Sequence, residues 1–289
     1  MHQYKVIIIG AGPAGIACAV QLKRYGIESI VIEKNEIGGL LINANLVENY
    51  PGFPEGIKGK ELVELFKTQL NNAEISVIKE NVLNVDYSDN FIIKTDKNIY
   101  YSEFLVIASG TKPKKLPVLN NLPEFKGRVY FEVNEIEQVR GKNIIVIGAG
   151  DAAFDYSINL SKYNAITILN RSNRKKCLPL LYERSLNIKN IKYIENISPV
   201  NMGISDDRLV ITTNRSEYLK MDADILLVAI GRNPNLDFLD DNFVQLLDKL
   251  ENRNLFFTGD VKNGNYRQTA ISTGDGIKAA MMIYERAEK

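Results

Sequence analysis

Two short apolar runs, each ending in a glycine-rich turn, constrain this chain more than any other feature. Val6-Ile-Ile-Ile9 leads into Gly10-Ala-Gly12-Pro-Ala-Gly15, and Ile144-Ile-Val-Ile147 leads into Gly148-Ala-Gly150-Asp-Ala-Ala153. Runs this apolar read as strands buried on both faces of a parallel sheet. Helical patterns follow both turns. Pro13 suits a first helical turn, the Ala/Ile/Leu spacing continues to Tyr25, and Gly26 ends it; the second helix is expected over Ala152–Tyr163. Further strands are expected at Ser29–Glu33 and Ile166–Leu169. The result is two right-handed βαβ units, the minimal nucleotide-binding fold.

The turns supply the chemistry for a dinucleotide diphosphate. Gly10 allows the tight turn, Gly12 lets the backbone approach the phosphates, and Gly15 lets the helix pack on its strand. The diphosphate then rests on a helix N-terminus, where unpaired N–H groups point outward. Ala153 replaces the third glycine of the second turn, a substitution that position tolerates. At the same distance beyond each first glycine stand Glu33 and Arg171. An acid there accepts from a free ribose 2′-hydroxyl, whereas a cation suits a 2′-phosphate. Asn170 and Arg174 flank Arg171, and no carboxylate is available in that turn. The two units are therefore expected to take different dinucleotides, a flavin and a nicotinamide, with NADPH favoured over NADH.

The remaining elements repeat. In the first half a helix is expected over Lys60–Asn71, with Leu62, Val63, Leu65, Phe66 and Leu70 on one side. An antiparallel meander is expected over Ile75–Tyr101, then a buried strand at Phe104–Ala108. Residues 39–57, rich in Gly and Pro, read as a structured loop, and residues 112–120 as a linker. In the second half come a strand near Ile191–Ile194, alternating runs at Leu209–Thr213 and Tyr218–Asp222, and a buried strand at Ile225–Ile230. Leu255–Thr258 is expected to be the last strand, and a helix from Gln268 to about Arg286 finishes the chain. The fold class read from this is α/β, with two Rossmann-like, three-layer nucleotide-binding domains, the second inserted into the first. The first is assigned 1–113 and 231–289, the second 114–230.

Composition excludes several classes. A net charge of +1 on 289 residues gives no support for nucleic-acid binding. No apolar run is long enough to span a membrane. The uncharged stretch Val6–Val20 is better explained by its Gly/Pro spacing than as a signal peptide, so a cytoplasmic protein is expected. The single histidine, His2, excludes a histidine-centred triad. The two cysteines, Cys18 and Cys177, form no Cys-x-x-Cys pair, and no metal-ligand spacing occurs. Cys18 reads as a small core residue; Cys177 lies beside Arg174, Lys175 and Lys176, which would favour its thiolate.

These motifs, together with Gly38-Gly39, Val47–Pro54, Ala108–Thr111, Ala229-Ile-Gly231, Thr258-Gly-Asp260 and Arg267-Gln-Thr-Ala270, resemble the low-molecular-weight thioredoxin reductase family in order and spacing over almost the whole chain. The resemblance implies an FAD domain, an inserted NADPH domain and a homodimer. It assigns to FAD Gly10, Gly12, Pro13, Ala14, Gly15, Glu33, Lys34, Gly39, Leu40, Asn49, Val82, Ala108, Ser109, Gly110, Gly259, Asp260, Arg267, Gln268 and Thr269. To NADPH it assigns Gly148, Gly150, Asp151, Ala152, Ala153, Asn170, Arg171, Arg174, Ile230 and Gly231.

One departure decides the expected output. Where that family carries Cys-x-x-Cys, this chain reads Phe131-Glu132-Val133-Asn134. Without two thiols the usual dithiol–disulfide relay has no carrier. Val129-Tyr130-Phe131 followed by Gly141-Lys142-Asn143 resembles the family's cysteine-free branch, the ferredoxin/flavodoxin–NADP reductases. That implies ferredoxin or flavodoxin as partner, although the chain ends at Lys289 without the C-terminal extension usual in that branch. Two other outputs stay open: direct reduction of a small disulfide, quinone or oxygen, and a non-catalytic flavoprotein. No residue is assigned as a catalytic acid or base, because hydride transfer needs none.

Overall fold

A computed structural model of the protein describes residues 2–119, 122–251 and 253–288; position 120 of the expected linker lies outside them. The chain forms two compact units. One comprises residues 1–42, 46–112 and 233–289; the other comprises 43–45 and 113–232.

The first unit starts with β1 (His2–Ile9), α1 (Pro13–Arg24) and β2 (Ser29–Glu33), followed by α2 (Gly59–Asn72), β3 (Val77–Lys79), β4 (Val82–Tyr87), β5 (Phe91–Thr95) and β6 (Ile99–Ile107). β7 (Thr111–Pro113) leads out of it. The second unit contains β8 (Val129–Tyr130), β9 (Asn143–Ile147), α3 (Asp151–Leu160), β10 (Ala165–Leu169), α4 (Pro179–Leu186) and β11 (Ile191–Ile194). It continues through β12 (Pro199–Ser205), β13 (Arg208–Thr213), β14 (Lys220–Ala223) and β15 (Ile225–Val228). After β16 (Arg232–Pro234) the chain completes the first unit with α5 (Asp241–Val244), α6 (Leu247–Glu251), β17 (Leu255–Phe257) and α7 (Thr269–Ala287).

The first sheet runs β3-β2-β1-β6-β5-β4, with β17 also on β6. Its strands β3, β2, β1, β6 and β17 are parallel, while β4 and β5 extend β6 antiparallel. The central strands carry apolar residues on both faces, as parallel strands covered on both sides require. Val6, Ile8, Val31 and Phe104 pack against α1 and α7. Ile7, Ile9, Ile32 and Leu105 pack against the β4–β5 hairpin and the Phe238–Leu250 segment.

Three expectations change. The segment near Ile75 is not part of the meander: β3 follows α2 and pairs in parallel with β2, Val31 opposite Val77. It closes a second crossover, which returns the chain parallel. The meander's last strand and the buried strand expected at Phe104–Ala108 are one strand, β6, because a single extended segment serves the antiparallel edge at one end and the parallel core at the other. Leu65 leaves the buried stripe of α2 and is half exposed, since Leu62, Val63, Phe66 and Leu70 already cover that helix's inner face.

The second unit has a fully parallel sheet, β11-β10-β9-β15-β8, and a separate antiparallel sheet, β12-β13-β14. One face of the parallel sheet packs Phe154 and Leu160 of α3 with Val133 and Ile136. The other packs Leu209, Ile211 and Ala223 of the antiparallel sheet. Strands β8 and β12 and helix α4 have no strong sequence signal: β8 is two residues long, and the burial along β12 does not alternate. No helix among the described residues is long and apolar enough to cross a membrane.

Candidate functional site

Both glycine turns stand at the carboxyl end of an interior parallel strand, β1 in one sheet and β9 in the other, the edge where open α/β sheets receive ligands. In the first, Gly10 has φ +107°, and a Cβ there would overlap the Ala108 carbonyl. A Cβ at Gly15 would overlap the Gly10 carbonyl. The fold itself therefore demands these two glycines. Gly12 differs: its φ is −78°, and nothing lies within 4 Å of an added Cβ. The open space there leaves room for a ligand to approach the backbone.

Helix N-termini make the same point. α1 has Gly12 as its N-cap, no side-chain cap and no acid in its first turn. The open end of α7 likewise lacks a side-chain cap and an acid. The starts of α2, α3 and α4 also lack a side-chain cap, whereas α5 is capped by Asp240, whose carboxylate accepts from the Phe243 N–H; what sets α1 and α3 apart is the glycine turn before each. Uncapped N–H groups in a glycine turn suit a diphosphate, so the residues present fit the dinucleotide that the turn predicts.

Glu33 closes β2, and its carboxylate is already aimed. One oxygen accepts from the Ala11 N–H at 2.7 Å, the other from the Asn35 N–H at 2.8 Å. Beside it opens a cleft of about 350 Å³ lined by Gly10, Glu33, Lys34, Val82, Ser109 and Asn235, among others. Glu80 borders this cleft. Burial alone would raise its carboxyl, but hydrogen bonds from Thr95 (2.6 Å) and Asn98 (2.7 Å), with Tyr100, outweigh burial and leave it below the usual carboxylate range.

At the other end of the edge, Gly259 and Gly276 approach α1 so closely that a Cβ on either would overlap Ala14. Ser272 donates to Asp260 at 3.0 Å, and Asn49 donates to Gln268 at 2.9 Å. Ser109 donates to the Asn235 carbonyl at 2.7 Å, and the Asn235 N–H donates to Gly110. Gly39 lies next to Gly12. Ala108, Arg267 and Thr269 belong to the same unit, as do Pro13 and Leu40.

The second unit repeats the turn geometry, although α3, unlike α1, has an acid, Asp151, in its first turn. Gly148 has φ +131°, and a Cβ there would overlap the Ala229 carbonyl, while Gly150 has open space around its Cβ position. Ala153 is fully buried. Asp151, next to Ala152 at the helix start, accepts from the Leu178 N–H at 2.7 Å, so its carboxylate holds the following loop. Asn170 is buried and turned inward, donating to the Arg174 carbonyl and, at 2.8 Å, to the Tyr193 hydroxyl. It shapes the turn that carries the cations. Arg171 and Arg174 are both exposed. Lys175 is engaged: it pairs with Glu195 at 3.0 Å and lies over the rings of Tyr182 and Tyr193. Glu195 follows β11 and is far from the turn in sequence, so the turn alone gave no sign of it.

Beyond the other side of β9, Ile230 and Gly231 follow β15, and Glu132 follows β8. Glu132 is held by Arg232 at 2.6 Å and by Asn43 at 2.9 Å. Sequence reasoning missed this group, because Asn43, Glu132 and Arg232 converge only in three dimensions. Neither cysteine is activated. Burial pushes the Cys18 thiol far up, and burial, with Asp151 adding to it, pushes Cys177 up. The neighbouring cations expected to favour the Cys177 thiolate are outweighed. No group of metal-ligating side chains exists among the described residues.

The family model for pyridine nucleotide-disulphide oxidoreductases matches residues 4–276. The chain belongs to this family. Within it the chain is thioredoxin reductase-like. It is 30% identical to the thioredoxin reductase of Bacillus subtilis, over 99% of this chain and 95% of the relative. The solved thioredoxin reductase of T. acidophilum superposes with a TM-score of 0.85 at 25% identity, covering 100% of both chains. The bacillithiol disulfide reductase Bdr of Bacillus cereus shares the fold, with a TM-score of 0.76 at 21% identity over 99% of this chain and 100% of that one. The protein is accordingly an oxidoreductase with two Rossmann-like units.

Proposed function

We propose that the protein is an FAD-dependent NADPH oxidoreductase whose flavin hands electrons directly to a separate acceptor, a one-electron carrier of ferredoxin or flavodoxin type. The observation that carries this reading is the segment Phe131-Glu132-Val133-Asn134. It stands where thioredoxin reductases keep their dithiol, and its one ionisable side chain is tied into an ion pair. Burial disfavours the thiolate at both Cys18 and Cys177, which speaks against either as a substitute for the dithiol.

The first unit is the FAD site in this reading. The N–H groups at Gly12 and the start of α1 take the diphosphate, Glu33 takes the ribose hydroxyls, and the cleft beside Val82 takes the adenine. Held there, FAD would supply the capacity to take a hydride from NADPH and release its electrons singly to the carrier. The second unit is the NADPH site. The start of α3 takes the diphosphate, and Arg171 and Arg174 take the 2′-phosphate, which guanidinium groups bind bidentately.

A homodimer is part of the proposal. Thr273, Ile277 and Met281 repeat every fourth residue along one face of α7. Thr273 and Ile277 line a cleft of about 280 Å³ together with Pro13, Ile16, Val20 and Phe66. Ile271, Ile277 and Met281 are exposed on α7, which suits burial against a second copy.

The test is anaerobic stopped-flow reduction of the bound flavin by NADPH, NADH and reduced ferredoxin, followed by turnover with each acceptor class. Rapid reduction by NADPH and ferredoxin-dependent cytochrome c reduction are expected. Flavin reduction on a scale of minutes, or turnover of a small disulfide without any carrier, would overturn the reading.

A further inference from the structure

The ion pair at the edge of the second unit has no coenzyme-binding role in the scheme above. Glu132 follows β8 and Arg232 follows β15, and these two strands are neighbours in the parallel sheet. Both residues thus stand at its carboxyl edge. Arg232 Nη1 donates to Glu132 Oε1 at 2.6 Å, and Asn43 Nδ2 donates to Oε2 at 2.9 Å. The two side chains are only 22% and 21% exposed. Such a pair is weakly screened by solvent, and its field reaches neighbouring groups.

The topology says which part of a dinucleotide would meet it. The Arg171–Arg174 turn follows β10, on one side of β9; β15 and β8 lie on the other side. The diphosphate position, at Gly150 and the start of α3, follows β9 itself. A dinucleotide with its 2′-phosphate over β10 therefore ends over β15 and β8, among Ile230, Gly231, Arg232 and Glu132. That end is the nicotinamide. Its ring is neutral when reduced and cationic when oxidised, so loss of the hydride creates a positive charge there.

We infer that Glu132 is the counter-charge to the oxidised nicotinamide ring and sets the relative affinity of the site for the two coenzyme forms. Arg232 and Asn43 are positioning residues that hold the carboxylate in place. The inference rests on the proposal that the second unit binds NADPH. Removing the carboxylate leaves the pair with a net positive charge, which penalises the cationic form and leaves the neutral form nearly unchanged.

The test is equilibrium titration of the flavin-loaded protein with NADP⁺ and with a tetrahydro-nicotinamide analogue of NADPH, whose neutral ring carries no transferable hydride. In E132Q, NADP⁺ is expected to bind about 5- to 10-fold more weakly, while the analogue changes by less than about 2-fold. E132D, which keeps the charge, should retain most of the wild-type ratio. The double variant E132Q/R232Q leaves no charge at the pair, so it stays testable if E132Q folds poorly. There NADP⁺ should weaken relative to the analogue by a smaller factor, about 2- to 5-fold. Equal weakening of both forms, or an unchanged ratio in the variants, would overturn the inference. A wild-type protein that binds neither form would instead overturn the coenzyme assignment.

Discussion

Replacing Gly12 by alanine should separate the two reasons for a glycine in a dinucleotide turn. Gly12 sits at φ −78° and ψ −179°, a conformation open to any residue, and an added Cβ meets nothing within 4 Å. The apoprotein should therefore lose nothing. Reduced freedom of the unfolded chain should stabilise it by about 0.4–1 kcal/mol, a rise of about 1–3 °C in Tm for a chain of this size. The same methyl occupies the space through which a diphosphate reaches the N–H groups of α1. Losing one or two charge-assisted hydrogen bonds costs about 2–4 kcal/mol, or about 30- to 1,000-fold in Kd for FAD. Gly15→Ala is the control with the opposite signature. Its Cβ overlaps the Gly10 carbonyl, and overpacking of this kind costs about 1–3 kcal/mol or more of stability. Thermal unfolding of flavin-free protein and fluorescence titration with FAD measure both quantities. The reasoning fails if Gly12→Ala binds FAD with the wild-type Kd, or if its apoprotein melts as low as that of Gly15→Ala.

Three further outcomes follow from the same geometry. Replacing Arg171 and Arg174 together by alanine should raise KM for NADPH about 10- to 100-fold and leave NADH within about 2-fold, since each guanidinium serves only the 2′-phosphate; equal effects on both coenzymes would remove these residues from the specificity argument. The Glu80 carboxyl is held below its unfolded value, so its contribution to stability is full above about pH 4.3 and is lost as pH falls through the lower folded value. Acid-unfolding curves of wild type and E80Q should diverge above that range and converge below it; parallel curves would show that the Thr95 and Asn98 hydrogen bonds do not act on the charged form. Met281→Lys, at a position 46% exposed on α7, should yield monomers in sedimentation experiments with an unchanged Tm of the monomer unit, and an undisturbed dimer would move the interface elsewhere.

Local sequence determined much of this protein. The runs Val6–Ile9 and Ile144–Ile147 have no polar side chain to offer solvent, so they become central parallel strands, and the turns after them have the glycines that backbone crossing at Ala108 and Ala229 demands. Glu33 and Arg171 could be placed because their distance from the turn is fixed by one helix and one strand. Tertiary structure decided what no local pattern encodes. Leu65 turned outward because its helix had enough apolar residues to cover the sheet without it. The strand β3 joined the parallel edge because its preceding helix set its direction. Lys175 was withdrawn from the cationic turn by Glu195, and the thiol of Cys177 was shifted by burial against its neighbours' charge. Most of all, Glu132, Arg232 and Asn43 are far apart along the chain and become one partly buried ionic group only in the folded unit. Local sequence fixes backbone conformation and strand polarity through short-range sterics and hydrophobic pattern. Charge pairing depends on distances of a few ångströms between segments that only the folded chain brings together.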